Sequence, residues 1–160
     1  MDAQDDLIAL FADFAALGVR YLVVGGHAVA AHRRRHSTRE VELWLDARRD
    51  NTLRACEALA RFGVASELVE SLRSAAPDEI IWLGEPPLRI QLQSLPAVDF
   101  VEAWPRRFIL ERSGVDVCIL GKEDLIASKL EVGRPQDRLD AIALLVPPSL
   151  VGRSWRALPA

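Results

Sequence analysis

Cysteine is almost missing from this sequence: Cys56 and Cys118 are the only two among 160 residues, far apart and each set in an apolar pattern. That excludes a disulfide framework and a cysteine-based zinc site, and both are expected as small core side chains. No apolar run approaches the roughly 20 residues that a membrane-spanning helix needs. An excess of either charge is missing too. The 20 basic residues against 23 acidic ones leave a net charge of −3, which gives no general pull toward nucleic acid or a membrane surface. The acidic opening MDAQDD has the wrong charge for a secretory signal, so a cytoplasmic setting is expected. Internal repeats, low-complexity tracts and linkers are absent, and residues 1–160 read as a single domain.

What is present is a chain that is 50% apolar, rich enough for a proper core. Leu7, Leu10, Phe11, Phe14 and Leu17 follow Asp5 and Asp6 with the spacing of one helix face, which stops at Gly18. VRYLVV is a β-branched run read as a buried strand. Gly25 and Gly26 interrupt it, and HAVAAHRRR has helical composition. EVELWL is the next strand, and Asn51 is placed as the cap of a helix ending at Phe62 and Gly63. DEIIWL and LRIQLQS read as two antiparallel strands joined by GEPP. VDFVEAWPRR is read as a short helix or loop ended by Pro105. GVDVCIL is a further strand, KEDLIASKLEV a helix stopped by Gly133, and PQDRLDAIALL a last helix with Pro135 in its first turn. This alternation predicts an α/β (α+β) fold with a mixed β-sheet flanked by helices.

Four features carry candidate chemistry. In VVGGHAVAAH a strand runs through a diglycine into a helix, which brings free backbone N–H groups and the positive end of a helix dipole to one spot. Such a turn suits a phosphate, or it is simply a turn; no Walker lysine or third glycine follows. In STREVELWLD, Glu40 and Glu42 share one strand face because successive side chains alternate. They form either a pair of metal ligands or a wet face paired with Arg39, Arg48 or Arg49. Lys129 shares a helix face with core residues and either snorkels outward or reaches a phosphate as a point charge. Arg134 is expected to pair with Asp137 or Asp140. The basic run HRRRHS, residues 32–37, suits nucleotide or RNA phosphates, or is a solvated helix end. His27, His32 and His36 lack metal-ligand spacing, and Trp104 and Trp155 either mark a partner surface or pack locally.

Taken in order, GVRYLVVGGHAVAAH, STREVELWLD, NTLRACEALARFG and EDLIASKLEVGRPQDRLDAIAL resemble small bacterial nucleotidyltransferases. The group is the one related to AbiEii-type toxins within the polymerase-beta-like superfamily. The resemblance runs from about Gly18 to Leu145. It implies that Gly25 and Gly26 hold nucleotide phosphates, that Thr38, Lys129 and Asp137 belong to the nucleotide site, and that Glu40 and Glu42 stand where a D-x-D pair binds Mg²⁺ or Mn²⁺. The implied reaction moves a nucleoside monophosphate from an NTP to an RNA or protein hydroxyl, tRNA among the acceptors. A catalytically degenerate binding or regulatory module in a toxin–antitoxin or phage-defence pair is the alternative. The sequence departs from the pattern in three places. Glu replaces Asp at 40 and 42, and each added methylene moves a carboxylate by about a carbon–carbon bond. Gln91 stands in place of the third acid, and a neutral amide is no base. His36, with Arg35 beside it, fills a position that is often arginine. These departures point to a retained scaffold with a weakened catalytic centre.

Overall fold

The computed structural model describes residues 3–32, 40–95 and 98–146. Helix α1 (Ala3–Ala16) leads into strand β1 (Tyr21–Val24), helix α2 (Gly25–His32) and strand β2 (Glu40–Leu45). Helices α3 (Arg49–Phe62) and α4 (Ser66–Ser74) precede the hairpin of β3 (Ile81–Glu85) and β4 (Leu88–Leu92). A short helix α5 (Phe100–Ala103) and the 3₁₀ turn Trp104–Arg106 lead to β5 (Phe108–Arg112), β6 (Val115–Ile119), α6 (Lys122–Val132) and α7 (Pro135–Leu145). The six strands lie in the order β3-β4-β2-β1-β6-β5. Parallel pairing at β2–β4 and β1–β6 makes the sheet mixed, as expected; the other three neighbours are antiparallel.

The register sorts the side chains into two faces. Val24, Glu42 and Gln91 stand in one transverse row, and Trp82 extends it at β3. Val23, Leu43 and Leu92 belong to the opposite face. On that second face α1 packs through Phe11, whose ring stacks on Tyr21 at 5.0 Å, with Leu10 and Phe14 fully buried beside it. Trp44, on the face of the acids, meets Phe100 edge-on at 5.1 Å, so α5 covers the end of that face away from Glu40. The apolar side chains of EVELWL therefore divide between two layers. The acids are left at the end of β2 nearest the start of α2.

Several expectations need correction. Asn51 does not cap α3; the helix begins two residues earlier, at Arg49, after Arg48. Its amide is instead buried, accepting from the Arg20 N–H at 2.7 Å and donating to the Arg20 and Asp46 carbonyls at 3.0 and 2.9 Å. It pins the entry of β1 to the exit of β2. In the β3–β4 hairpin, Gly84 and Glu85 remain in the ladder and the bend falls on Pro86–Pro87. Pro105 lies inside the 3₁₀ turn and does not end a helix. The sequence reading had no counterpart for α4 or β5. Cys56 is buried as expected, whereas Cys118 is half-buried, and burial raises both thiols above their usual range. Residues 33–39 and 147–160, with Thr38, most of the basic run and Trp155, lie outside the described residues.

Candidate functional site

The diglycine and the acidic strand meet. Gly25 opens α2 with a φ of +63°, a conformation that side-chain-bearing residues avoid. Its missing side chain leaves room for the Glu42 carboxylate: a Cβ at position 25 would overlap Oε2 and Cδ of Glu42. The register explains the proximity, because Val24, the residue before Gly25, is the direct ladder partner of Glu42. The carboxylate thus reaches the first turn of α2, where unpaired backbone N–H groups favour negative charge.

Two further helices bring charge to the same place. The Lys129 ammonium, only 13% exposed, lies 3.1 Å from Asp140 Oδ2 and 3.4 Å from Asp137 Oδ1. Arg134 donates to Asp137 Oδ2 at 2.7 Å and closes a reciprocal cap at the start of α7. Arg134, more than Lys129, holds Asp137 below the usual carboxylate range. Of the two acids offered as partners for Arg134, it is Asp137 that takes it.

Glu42 behaves differently. Burial lifts its carboxyl above the ordinary range, Lys129 and Arg134 pull it back down, and the charges of Glu40 and Asp137 add to the rise. Among the described residues no side chain pairs directly with it. A half-buried, directly unpaired carboxylate is the feature of this surface that a cation would relieve most.

Glu40 is exposed at the strand end and is met by Arg89 at 3.4 Å, not by Arg48 or Arg49. Arg48 is bound to Asp46, and Arg49 donates to the Arg73 carbonyl. The Arg89 guanidinium also lies 4.1 Å above the Trp82 ring. Arg89 and Trp82 were not picked out from sequence. Their signal was the register itself, since a parallel β4 with Gln91 beside Glu42 sets Arg89 beside Glu40. Gln91 donates its amide N–H to Gln93 Oε1 at 3.3 Å, which leaves its carbonyl oxygen as a neutral donor near Glu42.

Glu42, Glu40 and the Gln91 carbonyl present hard oxygen donors, the kind that Mg²⁺ and Mn²⁺ prefer. Among the described residues no group of three or more His, Cys, Asp or Glu side chains gathers to hold a metal. Two carboxylates and an amide bind less tightly than three carboxylates, because affinity follows ligand charge. Gly25, Glu42, Lys129, Asp137 and Gln91 are therefore brought together; Glu40 stands at the rim, and Thr38 lies outside the described residues.

The mixed six-stranded sheet flanked by helices is a nucleotidyltransferase-like fold. Several solved structures share it, three of which follow. Lincosamide antibiotic adenylyltransferase LnuA, with lincomycin bound, matches at 16% identity over 88% of this chain and 94% of its own, with a TM-score of 0.57. A putative nucleotidyltransferase, TM1012 from Thermotoga maritima, matches at 12% over 83% and 86%, with a TM-score of 0.60. The antibiotic-resistance factor ANT(2'')-Ia matches at 13% over 90% and 84%, with a TM-score of 0.57. No protein-family model matches the chain, and no curated protein matches it significantly. No helix among the described residues is long and apolar enough to cross a membrane.

Proposed function

We propose that this chain binds a nucleoside triphosphate with one divalent cation at the Gly25–Glu42 junction and passes the nucleoside monophosphate to a hydroxyl of RNA or protein. The observation that carries the reading is the Glu42 carboxylate seated in the space left by Gly25, within the field of Lys129 and Arg134. Glu42 and Glu40 would hold the cation, with the Gln91 carbonyl as a neutral third donor. When bound, that cation would offset the negative charge of the phosphates. The backbone N–H groups of the first α2 turn present donors to a phosphate, and Gly25 keeps that approach open. Lys129, poised between Asp137 and Asp140, supplies a mobile point charge for the phosphate tail, and the two acids hold it near the site. Arg89, lying between Glu40 and Trp82, is freed to meet a phosphate once Glu40 turns to a cation. In the transfer, the acceptor oxygen bonds to the α-phosphorus and the bond to the β-phosphate oxygen breaks. Diphosphate leaves and the hydroxyl proton passes to water. Positioning and charge carry such a step. The cytoplasm, where NTPs and RNA meet, is its setting.

A second reading has its own support. Gln91 is a neutral amide where the resemblance places an acid, and Arg89 already pairs with Glu40. A module that binds nucleotide without transfer, as one half of a toxin–antitoxin or phage-defence pair, fits those two facts. Incubation with α-labelled NTPs, Mn²⁺ or Mg²⁺ and total RNA or protein separates the readings. Transfer predicts label on a macromolecule that Glu42→Ala abolishes. Saturable NTP binding with no transferred label selects the binding module, and neither binding nor label rejects both.

A further inference from the structure

A second concavity lies on the reverse face of the sheet. It has a volume of about 340 Å³ and opens between α1 and α2. Its floor is the β-sheet face of Val41, Val117 and Ile119, opposite in register to the face that carries Glu42 and Gln91, and Leu7 and Ile8 of α1 form one wall. The other wall is α2, which presents the small side chains Ala30 and Ala31 there together with His27. Walls this apolar give water few partners, so the space suits an apolar guest, and its size falls within the range of small-molecule sites.

The rim is polar at a few points. Gln4 and His27 lie on it. Arg112, at the exposed end of β5, is the permanent cation of the lining, and among the described residues no carboxylate pairs with it. An apolar chamber with, among the described residues, one guanidinium at its edge matches a guest with an apolar body and one anionic head.

We propose that this cavity is a binding site, separate from the Gly25–Glu42 junction, for a small amphipathic carboxylate whose hydrocarbon body lies over Val41, Val117 and Ile119 and whose carboxylate meets Arg112. The charge-assisted, two-pronged geometry of guanidinium and carboxylate fixes the orientation of the guest. Helix α2 is shared: its first residue adjoins Glu42, while Ala30 and Ala31 wall the cavity.

Isothermal titration of the full chain with decanoate, and with decanol as the uncharged body, tests this below the concentration at which either aggregates. The site predicts saturable binding of one decanoate per chain, about tenfold or more tighter than decanol, since a bond between charged partners is lost in the alcohol. Arg112→Ala should erase the difference between the two probes. Ala31→Phe, which fills the chamber, should abolish binding of both; Ala30→Leu serves if that variant does not fold. Methyl NMR of the unaltered chain should show decanoate shifting Leu7, Val41 and Val117. Non-saturable binding, binding indifferent to both Arg112→Ala and the filling variant, or shifts confined to residues around Glu42 would overturn the proposal.

Discussion

Replacing Gly25 by alanine separates two costs that the structure assigns to one position. The first is conformational: φ is +63°, and an L-residue held there costs roughly 1–2 kcal/mol. The second is specific, because the new methyl would occupy the place of the Glu42 carboxylate. That carboxylate is the end of a flexible side chain, so it turns aside at a cost of about 0.5–1.5 kcal/mol and leaves the junction. Gly18→Ala is the matched control. Its φ is +66°, yet a Cβ there meets nothing within 4 Å. Urea denaturation should therefore show a loss of about 1–2 kcal/mol for Gly18→Ala and about 1.5–3.5 kcal/mol for Gly25→Ala. At roughly 2–4 °C per kcal/mol, both variants remain folded at room temperature if the parent has ordinary stability. Only Gly25→Ala should weaken Mn²⁺–NTP binding, by about 10- to 100-fold, the scale on which a displaced or misoriented ligand is felt. In a Glu42→Ala background the extra cost of Gly25→Ala should shrink to that of Gly18→Ala. Equal Mn²⁺–NTP affinity in the two glycine variants would refute the contact and the role built on it.

Other consequences are independent of that one. Burial raises the Glu42 carboxyl, so folding favours its protonated form, and this residue's contribution to stability is lost as pH rises through its folded value. Glu42→Gln should accordingly raise Tm at pH 7, by a margin that narrows as pH falls through the folded value and is gone below about pH 4.5, where the unfolded carboxyl also protonates; a constant margin would contradict the desolvation. Asp137, held low chiefly by Arg134, should show the opposite trend, with Asp137→Asn costing stability at pH 7 and less as acid protonates the native carboxylate. Asn51→Ala removes an amide that satisfies three backbone groups, and should cost about 2–4 kcal/mol by urea denaturation with no change in the affinity for nucleotide. Gln91→Glu should raise Mn²⁺ affinity measured by calorimetry, because it adds a charged donor beside Glu42. Unchanged affinity would remove Gln91 from the donor set.

Legibility followed periodicity. Helices α3, α6 and α7 announce themselves by apolar spacing and by Gly63 and Gly133, both left-handed caps in the structure. Strand β5 was silent because it is an edge: most of FILER is exposed, so the alternation that marks a half-buried strand is absent. The Ser113–Gly114 turn before VDVCI was the available hairpin signal. Asn51 misled because asparagine is both a good cap and a good bridge between backbone groups, and only the tertiary neighbours Arg20 and Asp46 decide which. In the site, the diglycine, the Glu40–Glu42 pair and Lys129 were legible one by one. Their convergence depends on the β1–β2 register, and the Arg89 partner of Glu40 on a parallel β2–β4 pairing across 49 residues, which composition does not encode locally.

Paramagnetic relaxation by Mn²⁺ in the presence of a non-hydrolysable NTP, read on the backbone amides, tests most directly whether cation and triphosphate share one place. Broadening centred on Gly25, Gly26, Glu42 and Gln91, lost in Glu42→Ala and weakened in Lys129→Ala, is the expected result. Broadening centred on another acidic site such as Asp46 and Asp50, or unchanged in both variants, would contradict the account.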